Sequence, residues 1–537
     1  MHPLSCWTSY SHSPWAKEAT KMISLLIPFA IAALLTTGGK GDSWKARRND
    51  PRMGAVVYQV FPDRFWFNTE VETRRHLYSP PKSLIPWGSA VLRGIEDEPS
   101  GLYGHELTFT GGDLNGIREK LDYIQNTVGA DVLFINPIWK SNTNHHYDTT
   151  DYYQVAPELG NLKDLRALVK AVHARKMRIV LDSVFNHVSQ KHPIFLAASS
   201  SPNNKYRQWF YWDTHGKARR WFGVNNLPAL NLNNKGVLKY IEAVVRWNLK
   251  ENDIDGIRLD AAFEMGPFAL KAISSAAHKD KPGGLVVGEL LGYPSSYWNM
   301  VDGSYNYSYT KLCEEMLQGS ITGGRAGRIL EEMLADAGID FLLRSWAHVD
   351  NHDSVRIATR IPDLRKRKCA LAMQHLLPGC PVVYYGSELG MTSDTKEPDP
   401  SNRACMRWDM VKDNRELKFI QDLIRLRKTY PAIRDGDLKI LNTTNTLAFA
   451  RITDKVRESV IVIINATDKS QHESIPSRMG NLIGYDYLED QLKDQPGSHV
   501  VLNQSGFLSV DIPAYGIYVL AADVNRNKGF SAYDNIP

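Results

Sequence analysis

Several things are missing from this 537-residue chain, and each absence excludes something. The five cysteines, Cys6, Cys313, Cys369, Cys380 and Cys405, are scattered. They show no metal-type pair spacing and read as buried thiols. There is no dense run of Lys and Arg interleaved with aromatics, and the net charge is only +5. Nucleic acid is therefore not a favoured partner. No G-x-G-x-x-G follows the first strand-like run, so the dinucleotide-binding form of an open α/β sheet has no support. There is no internal repeat and no long low-complexity tract. Apolar runs are short: residues 22–35, MISLLIPFAIAALL, are too few to span a bilayer comfortably.

Lys17 and Lys21 precede that run and small residues follow it. Segment 22–37 thus has the layout of an export signal, with Met22 as an alternative start. The expectation is a secreted or periplasmic protein without a stable membrane partner; the alternative is membrane anchoring through this segment. The polar, basic sequence that follows reads as a linker, so residues 1–50 are set aside as leader and linker. What remains has an ordinary globular composition, 43% hydrophobic and 23% charged, and is long enough for more than one domain.

From residue 54 onward, short strand-like runs alternate with amphipathic segments. The strands expected are 56–62, 132–137, 178–184, 256–260, 285–290, 304–309, 341–349 and 381–386. Helices are expected at 114–126, 162–174, 236–251, 328–337, 364–377 and 415–428. Eight such alternations predict an α/β fold, a closed (β/α)8 barrel. Two irregular excursions, 66–112 and 188–235, interrupt it. After about residue 432 the helices stop, and short runs such as ESVIVIINAT and GIYVLAA predict an antiparallel β-sandwich. The expected organisation is therefore a barrel over 51–187 and 236–431, an inserted domain at 188–235, and a C-terminal β-domain at 432–537.

Polar residues fall where these strands end. Asp182, Asn186 and His187 end the third, Arg258 and Asp260 the fourth, and Glu289 the fifth; His352 and Asp353 follow the seventh. In a parallel barrel all C-terminal strand ends meet on one face. Three carboxylates, a fixed Arg and two His should then share a pocket. An isolated Arg258–Asp260 pair would pass for a structural ion pair, but recurrence over four strands is harder to ascribe to chance. Two carboxylates with no required metal, thiol or Ser-His pair are the apparatus of glycoside hydrolysis. Asp260 beside Arg258 is expected to stay ionised as nucleophile. Glu289, after an apolar run and near other acids, is expected to have a raised pKa and to act as acid, then base.

The stretches LDSVFNHV, GIRLDAA, GEL and HVDNHDS resemble, in order, the four short signature regions of the α-amylase family of retaining glycoside hydrolases. VVYQVFPDRF, TGGDLNGIREKLDYI, NPIWKSNTNHHYDTTDYYQV and PVVYYGSELGM resemble other parts of its barrel. The resemblance covers roughly residues 54–430 and is strongest to the cyclomaltodextrinase, neopullulanase and maltogenic amylase group. It implies catalytic roles for Asp260, Glu289 and Asp353. It implies substrate-binding roles for His145, Tyr147, His187, Arg258, Glu264, His352, Asp399 and Arg403. The substrate implied is an α-glucan oligosaccharide or polysaccharide, cut at α-1,4-glucosidic bonds in starch, maltooligosaccharides or cyclodextrins. A transglycosylase of the same family is the near alternative. A non-catalytic, membrane-anchored amylase-like binding subunit is the alternative of another class.

The chain also departs from that group. The barrel begins too early for the group's extra N-terminal β-domain. Phe263 stands three residues after the expected nucleophile, where polar residues are usual, and LPALN replaces the group's usual fifth signature. The Asn/Asp-rich loop that binds Ca²⁺ in many relatives is absent; Asn68 and Asp113 remain, but a hard cation wants six or more oxygens. No cofactor is expected to be required, and Ca²⁺ is not supported by the usual ligand loop.

Overall fold

A computed structural model describes residues 40–67, 71–91, 93, 94, 96, 97, 101–393, 400–479, 482, 485, 487–492 and 500–522. The segment read as an export signal, together with Asn68 and Asp399, lies outside these described residues. Part of the expected linker is helical, Lys40–Asn49, and belongs to a unit separate from residues 50–537.

Eight parallel strands close into a barrel: β1 (Val57–Val60), β2 (Val132–Ile135), β3 (Arg178–Ser183), β4 (Gly256–Leu259), β5 (Leu285–Leu290), β6 (Gly303–Asn306), β7 (Trp346–Ala347) and β8 (Cys380–Tyr384). Each pairs with its neighbours in sequence, and β1 closes the ring on β8. Every residue of β1, β2, β4 and β5 is buried, because both faces of these strands are covered. Alternation then sorts the side chains. Val57, Phe134, Val180, Val287, Tyr305 and Trp346 form a cluster inside the barrel. Tyr58, Leu133, Ile179, Leu181, Ile257 and Val286 belong to the larger core shared with the helices. Two residues beyond the inward Val180 comes Asp182, and two beyond Val287 comes Glu289. Strand periodicity thus directs these acids inward, at the C-terminal mouth above an apolar plug.

Three readings need correction. The apolar run 341–349 is not one long strand: Ile339–Arg344 is helical and only Trp346–Ala347 pairs in the sheet. A short apolar run does not distinguish buried helix from buried strand. Helix Ala262–Asp280 was not anticipated, because Gly266 and Pro267 break its pattern; Gly266 sits at φ 77°. Helix Tyr307–Gln318 also follows β6 directly, where a strand had been expected to run on.

The C-terminal strands are β9 (Asp437–Leu441), β10 (Leu447–Ile452), β11 (Val460–Ile464), β12 (Gln471–Pro476), β13 (Tyr487–Asp490), β14 (Val500–Gln504), β15 (Phe507–Ile512) and β16 (Ile517–Ala522). They form one antiparallel sheet in the order β9-β10-β11-β16-β13-β14-β15-β12. Ala448, Ile461 and Tyr518 from one half share a core with Ile475, Leu508 and Ile512 from the other, so the sheet curls over on itself. The opposite face, with Phe449, Val462 and Val519, joins the main core of the barrel. Helix Gly323–Ala337 docks there through its first turn. A Cβ on Gly323 would lie 2.1 Å from the Thr446 carbonyl carbon, so only glycine permits that approach.

Candidate active site

Arg258 is the hub of the barrel mouth. It is 1% exposed, and its Cα pairs with that of Asp182 on the adjacent strand. Its Nη1 donates to both Asp182 oxygens, at 2.8 and 2.9 Å, and to Asp260 Oδ1 at 3.2 Å. Its Nη2 lies 3.0 Å from Glu289 Oε1. One planar guanidinium therefore braces three carboxylates from three strands, a role for which its rigid fork is suited. Asp260 Oδ2 has no hydrogen-bond partner among the described residues. Just after Asp260 the backbone turns left-handed at Ala261 (φ 48°), and the Ala261 amide donates to Glu289 Oε2 at 2.7 Å. A non-glycine residue pays for this conformation, and such strain clusters at functional sites.

A second network fixes His352. The Tyr305 hydroxyl donates to Gln59 Oε1 at 3.0 Å, which orients the Gln59 amide. Gln59 Nε2 then faces His352 Nδ1 at 2.9 Å and donates to it. Nδ1 must therefore be the acceptor, leaving the proton on Nε2, which lies 2.5 Å from the Tyr147 hydroxyl and 3.0 Å from Asp353 Oδ2. Burial keeps this imidazole neutral, with a pKa lowered to about 3. The Tyr147 ring stacks on His352, with centroids 5.5 Å apart and planes 3° from parallel. Its hydroxyl donates to Asp182 Oδ2 at 2.7 Å. Arg403 holds the other side of Asp353, Nη2 to Oδ1 at 2.9 Å.

These groups open onto a cleft of ≈ 880 Å³. Asp260, Glu289, Asp353, His145, Tyr147, His187 and Arg403 all line it. Arg258 and His352 stand one layer behind, touching the carboxylates rather than the cleft. Glu264 does not line the cleft; it accepts a hydrogen bond from Asn186 at 3.1 Å. His187 is buried and neutral, its pKa lowered by burial to about 3, and neither ring nitrogen has a well-aligned partner.

Several contributors escaped the sequence reading. Gln59, Asn136 and Tyr305 orient the His352–Tyr147 pair. Tyr307, the first residue after β6, links Glu289 to Asn351. A lone polar residue in a buried strand, such as Gln59 in VVYQVF, was the available signal. Glu106, Tyr103 and Trp221 also line the cleft, from the two excursions, where no periodicity singled them out.

The charge balance differs from expectation. Burial raises the Glu289 carboxyl; Arg258 opposes this and Asp353 adds to it. Burial, with Glu289 beside it, also raises Asp260 well above the usual carboxylate range. Arg258 lowers Asp260, but burial and the neighbouring acids oppose it, and the guanidinium's single charge is shared among three acids. The pair titrates together and retains a proton at higher pH than isolated carboxyls would. Asp353 goes the other way: burial pushes it up, but His352 and Arg403 outweigh this and hold it low.

No cluster of three or more His, Cys, Asp or Glu that could hold a metal occurs among the described residues. At Asp113, Oδ1 accepts the Gly116 amide at 2.6 Å, and Oδ2 lies 2.8 Å from Arg74 Nη2. The same guanidinium donates to the carbonyls of Glu158 and Gly111, at 2.7 and 3.3 Å. A tethered cation thus takes up oxygens that a Ca²⁺ ion would need, and these residues do not fit the ion.

Comparison with known proteins accords with this geometry. Residues 59–417 match the family model described as alpha amylase, catalytic domain. A cyclomaltodextrinase from Bacillus sp. is 30% identical over 441 residues, 78% of this chain and 73% of that protein. A protein of Bacillus subtilis named intracellular maltogenic amylase is 32% identical over 435 residues, 78% of this chain and 70% of its own length. Among solved structures, the cyclic α-maltosyl-(1→6)-maltose hydrolase of Arthrobacter globiformis superposes with a TM-score of 0.73 at 26% identity, over 88% of this chain and 99% of that one. The type III pullulan hydrolase of Thermococcus kodakarensis gives 0.75 at 26% identity, over 88% and 82%. The expectation of a secreted, periplasmic or membrane-anchored protein is overturned: the Bacillus subtilis relative and a second one, from strain 168 and 31% identical, are both named intracellular. No helix of the described residues is long and apolar enough to cross a membrane. The transglycosylase and the non-catalytic subunit gain no support from these relatives. With the barrel, the strand-end carboxylates and the match over 59–417 in agreement, the chain belongs to the α-amylase family of glycoside hydrolases.

Proposed function

We propose that this protein hydrolyses α-1,4-glucosidic bonds in maltooligosaccharides and related α-glucans with retention of configuration. The observation that carries the reading is the shared guanidinium: Asp260 sits on Nη1 and Glu289 on Nη2 of Arg258. Two carboxyls so close favour direct attack over an intervening water. Asp260 Oδ2 attacks the anomeric carbon as Glu289 donates its proton to the departing glycosidic oxygen. The retained proton of the raised pair supplies this acid. The product is a glycosyl ester on Asp260. Glu289, now ionised, takes a proton from water as that water attacks the same carbon, and both groups return to their starting states.

The supporting residues act on the sugar itself. Tyr147 offers its ring to the sugar face, and Asp353, kept ionised, accepts hydroxyl protons more strongly as positive charge develops at the ring. His187 gives and takes hydrogen bonds that the protein leaves unmade. Arg403 holds Asp353 in place. Asp399 is proposed as a contact to the next sugar, and Glu264 as a polar group positioned through Asn186. A fluorinated glucosyl donor, which slows breakdown of the ester, tests the assignment. The wild-type protein should gain one glycosyl label on the peptide carrying Asp260, and Asp260→Asn should gain none. Labelling of another residue, or undiminished labelling of Asp260→Asn, would refute it.

A further inference from the structure

The cleft has two unequal ends. One lies beyond Glu289, where Phe263, Leu291 and Phe222 stand; Leu291 is 53% and Phe222 68% exposed. The other lies beyond His145 and Tyr147 and is built from the excursion after β1. There Glu106 Oε1 meets His145 Nε2 at 3.0 Å. Asn144 fastens the two loops together: its amide nitrogen donates to the Glu106 carbonyl at 2.9 Å, and its Nδ2 to the His105 and Thr108 carbonyls at 2.7 Å. Above them the Tyr103 ring stacks on His105 with centroids 5.8 Å apart, and the Arg93 guanidinium lies 4.7 Å over Tyr103. The Arg93 carbonyl in turn accepts the His105 amide at 3.1 Å.

The excursion after β3 meets this wall. A Cβ built on Gly101 would lie 3.0 Å from Asn225 Cβ, so the two segments are in contact. Gly101 has φ +68°, a backbone few other residues adopt. Gly101, Asn225, Arg93 and Tyr103 all border the cleft, so the contact forms part of the wall at that end.

We propose that the donor end of the cleft is blind, so that the protein works inward from the non-reducing ends of malto-oligosaccharides and discriminates against cyclic glucans. This inference rests on the proposed function, which fixes the polarity. The sugar attacked by Asp260 has its leaving group toward Glu289, so the rest of the donor chain points toward His145, Glu106 and Tyr103. That chain runs to the non-reducing end. A wall there accepts a terminus and rejects a strand that must continue through it. A cyclic glucan has no terminus to offer. Ionised Glu106, held below the ordinary range by His145 although burial opposes it, offers an acceptor to the terminal hydroxyls.

The test compares maltoheptaose carrying a chromophore at its reducing end with the same compound blocked by an ethylidene group across the 4- and 6-hydroxyls of the non-reducing glucose. The blocked compound should be cut at least about tenfold more slowly, since a tight pocket rejects even one added methylene by roughly 10–200-fold. β-Cyclodextrin should lag unmodified maltoheptaose by a similar factor, and the first product from the free heptaose should be a single short sugar. Tyr103→Ala, measured as the ratio of the two rates, should narrow the gap. Equal rates on blocked and free compounds would overturn the blind end while leaving the hydrolase reading intact. A gap unchanged by Tyr103→Ala would show that this wall is not the barrier. No cleavage of either compound would overturn the hydrolase reading and this inference with it.

Discussion

At the scale of single residues, the site depends on who holds whom. His352 lies between the Tyr147 hydroxyl and Asp353, and it holds its proton on Nε2 because Gln59 occupies Nδ1. Gln59→Leu keeps the volume of the strand residue but removes that donor. The ring is then free to take the other tautomer or to turn. Turnover should fall by about tenfold to a hundredfold, matching the roughly 1–3 kcal/mol cost of an unsatisfied buried partner. Unfolding measured alongside should show a folded barrel. Wild-type kcat in Gln59→Leu would mean that the tautomer does not matter. The carboxylates themselves were legible in the sequence because they recur at strand ends, where barrel geometry collects them. Their protonation was not, since it depends on how one guanidinium is divided among Asp182, Asp260 and Glu289. Glu106 was illegible for another reason: it sits in an irregular segment whose path follows from contacts with Asn144 and His145, not from local pattern.

At the scale of elements, strands that run apolar for their full length were readable, as were helices with an uninterrupted stripe such as Leu162–Ala174. Readings failed where a breaker or a short apolar run left helix and strand equally supported, at Gly266-Pro267 and at Ile339–Arg344. The excursion after β1 is secured by Arg74, which reaches Asp113, Gly111 and Glu158 from helix-like turn Val71–Tyr78. Removing that guanidinium in Arg74→Ala should destabilise the fold by about 2 kcal/mol, as expected for hydrogen bonds to a charged group. Denaturant unfolding reads this directly. Chelation should leave both the wild type and its activity unchanged. A loss of activity on chelation, restored by Ca²⁺, would show that a metal rather than Arg74 organises this loop.

At the scale of the whole molecule, barrel and C-terminal sheet share one core. Phe449, Val462, Ile464, Ile517 and Val519 are counted among the same buried cluster as the barrel-facing helices. The described residues from Asp50 to Ala522 form a single compact unit. Burying five such side chains contributes about 1.5–3 kcal/mol each, so the sheet and barrel should not come apart separately. Thermal unfolding should show one cooperative transition with matching calorimetric and van't Hoff enthalpies. Two resolved transitions would mean that the sheet is an appendage.

The central claim is that Asp260 and Glu289, braced side by side on Arg258, carry out two displacements at one anomeric carbon. The most direct test is proton NMR of the first minutes of maltoheptaose cleavage, before mutarotation mixes the anomers. Newly formed sugar ends should appear as the α-anomer. A β-anomer appearing first would mean single displacement by water, and would contradict the account at its core.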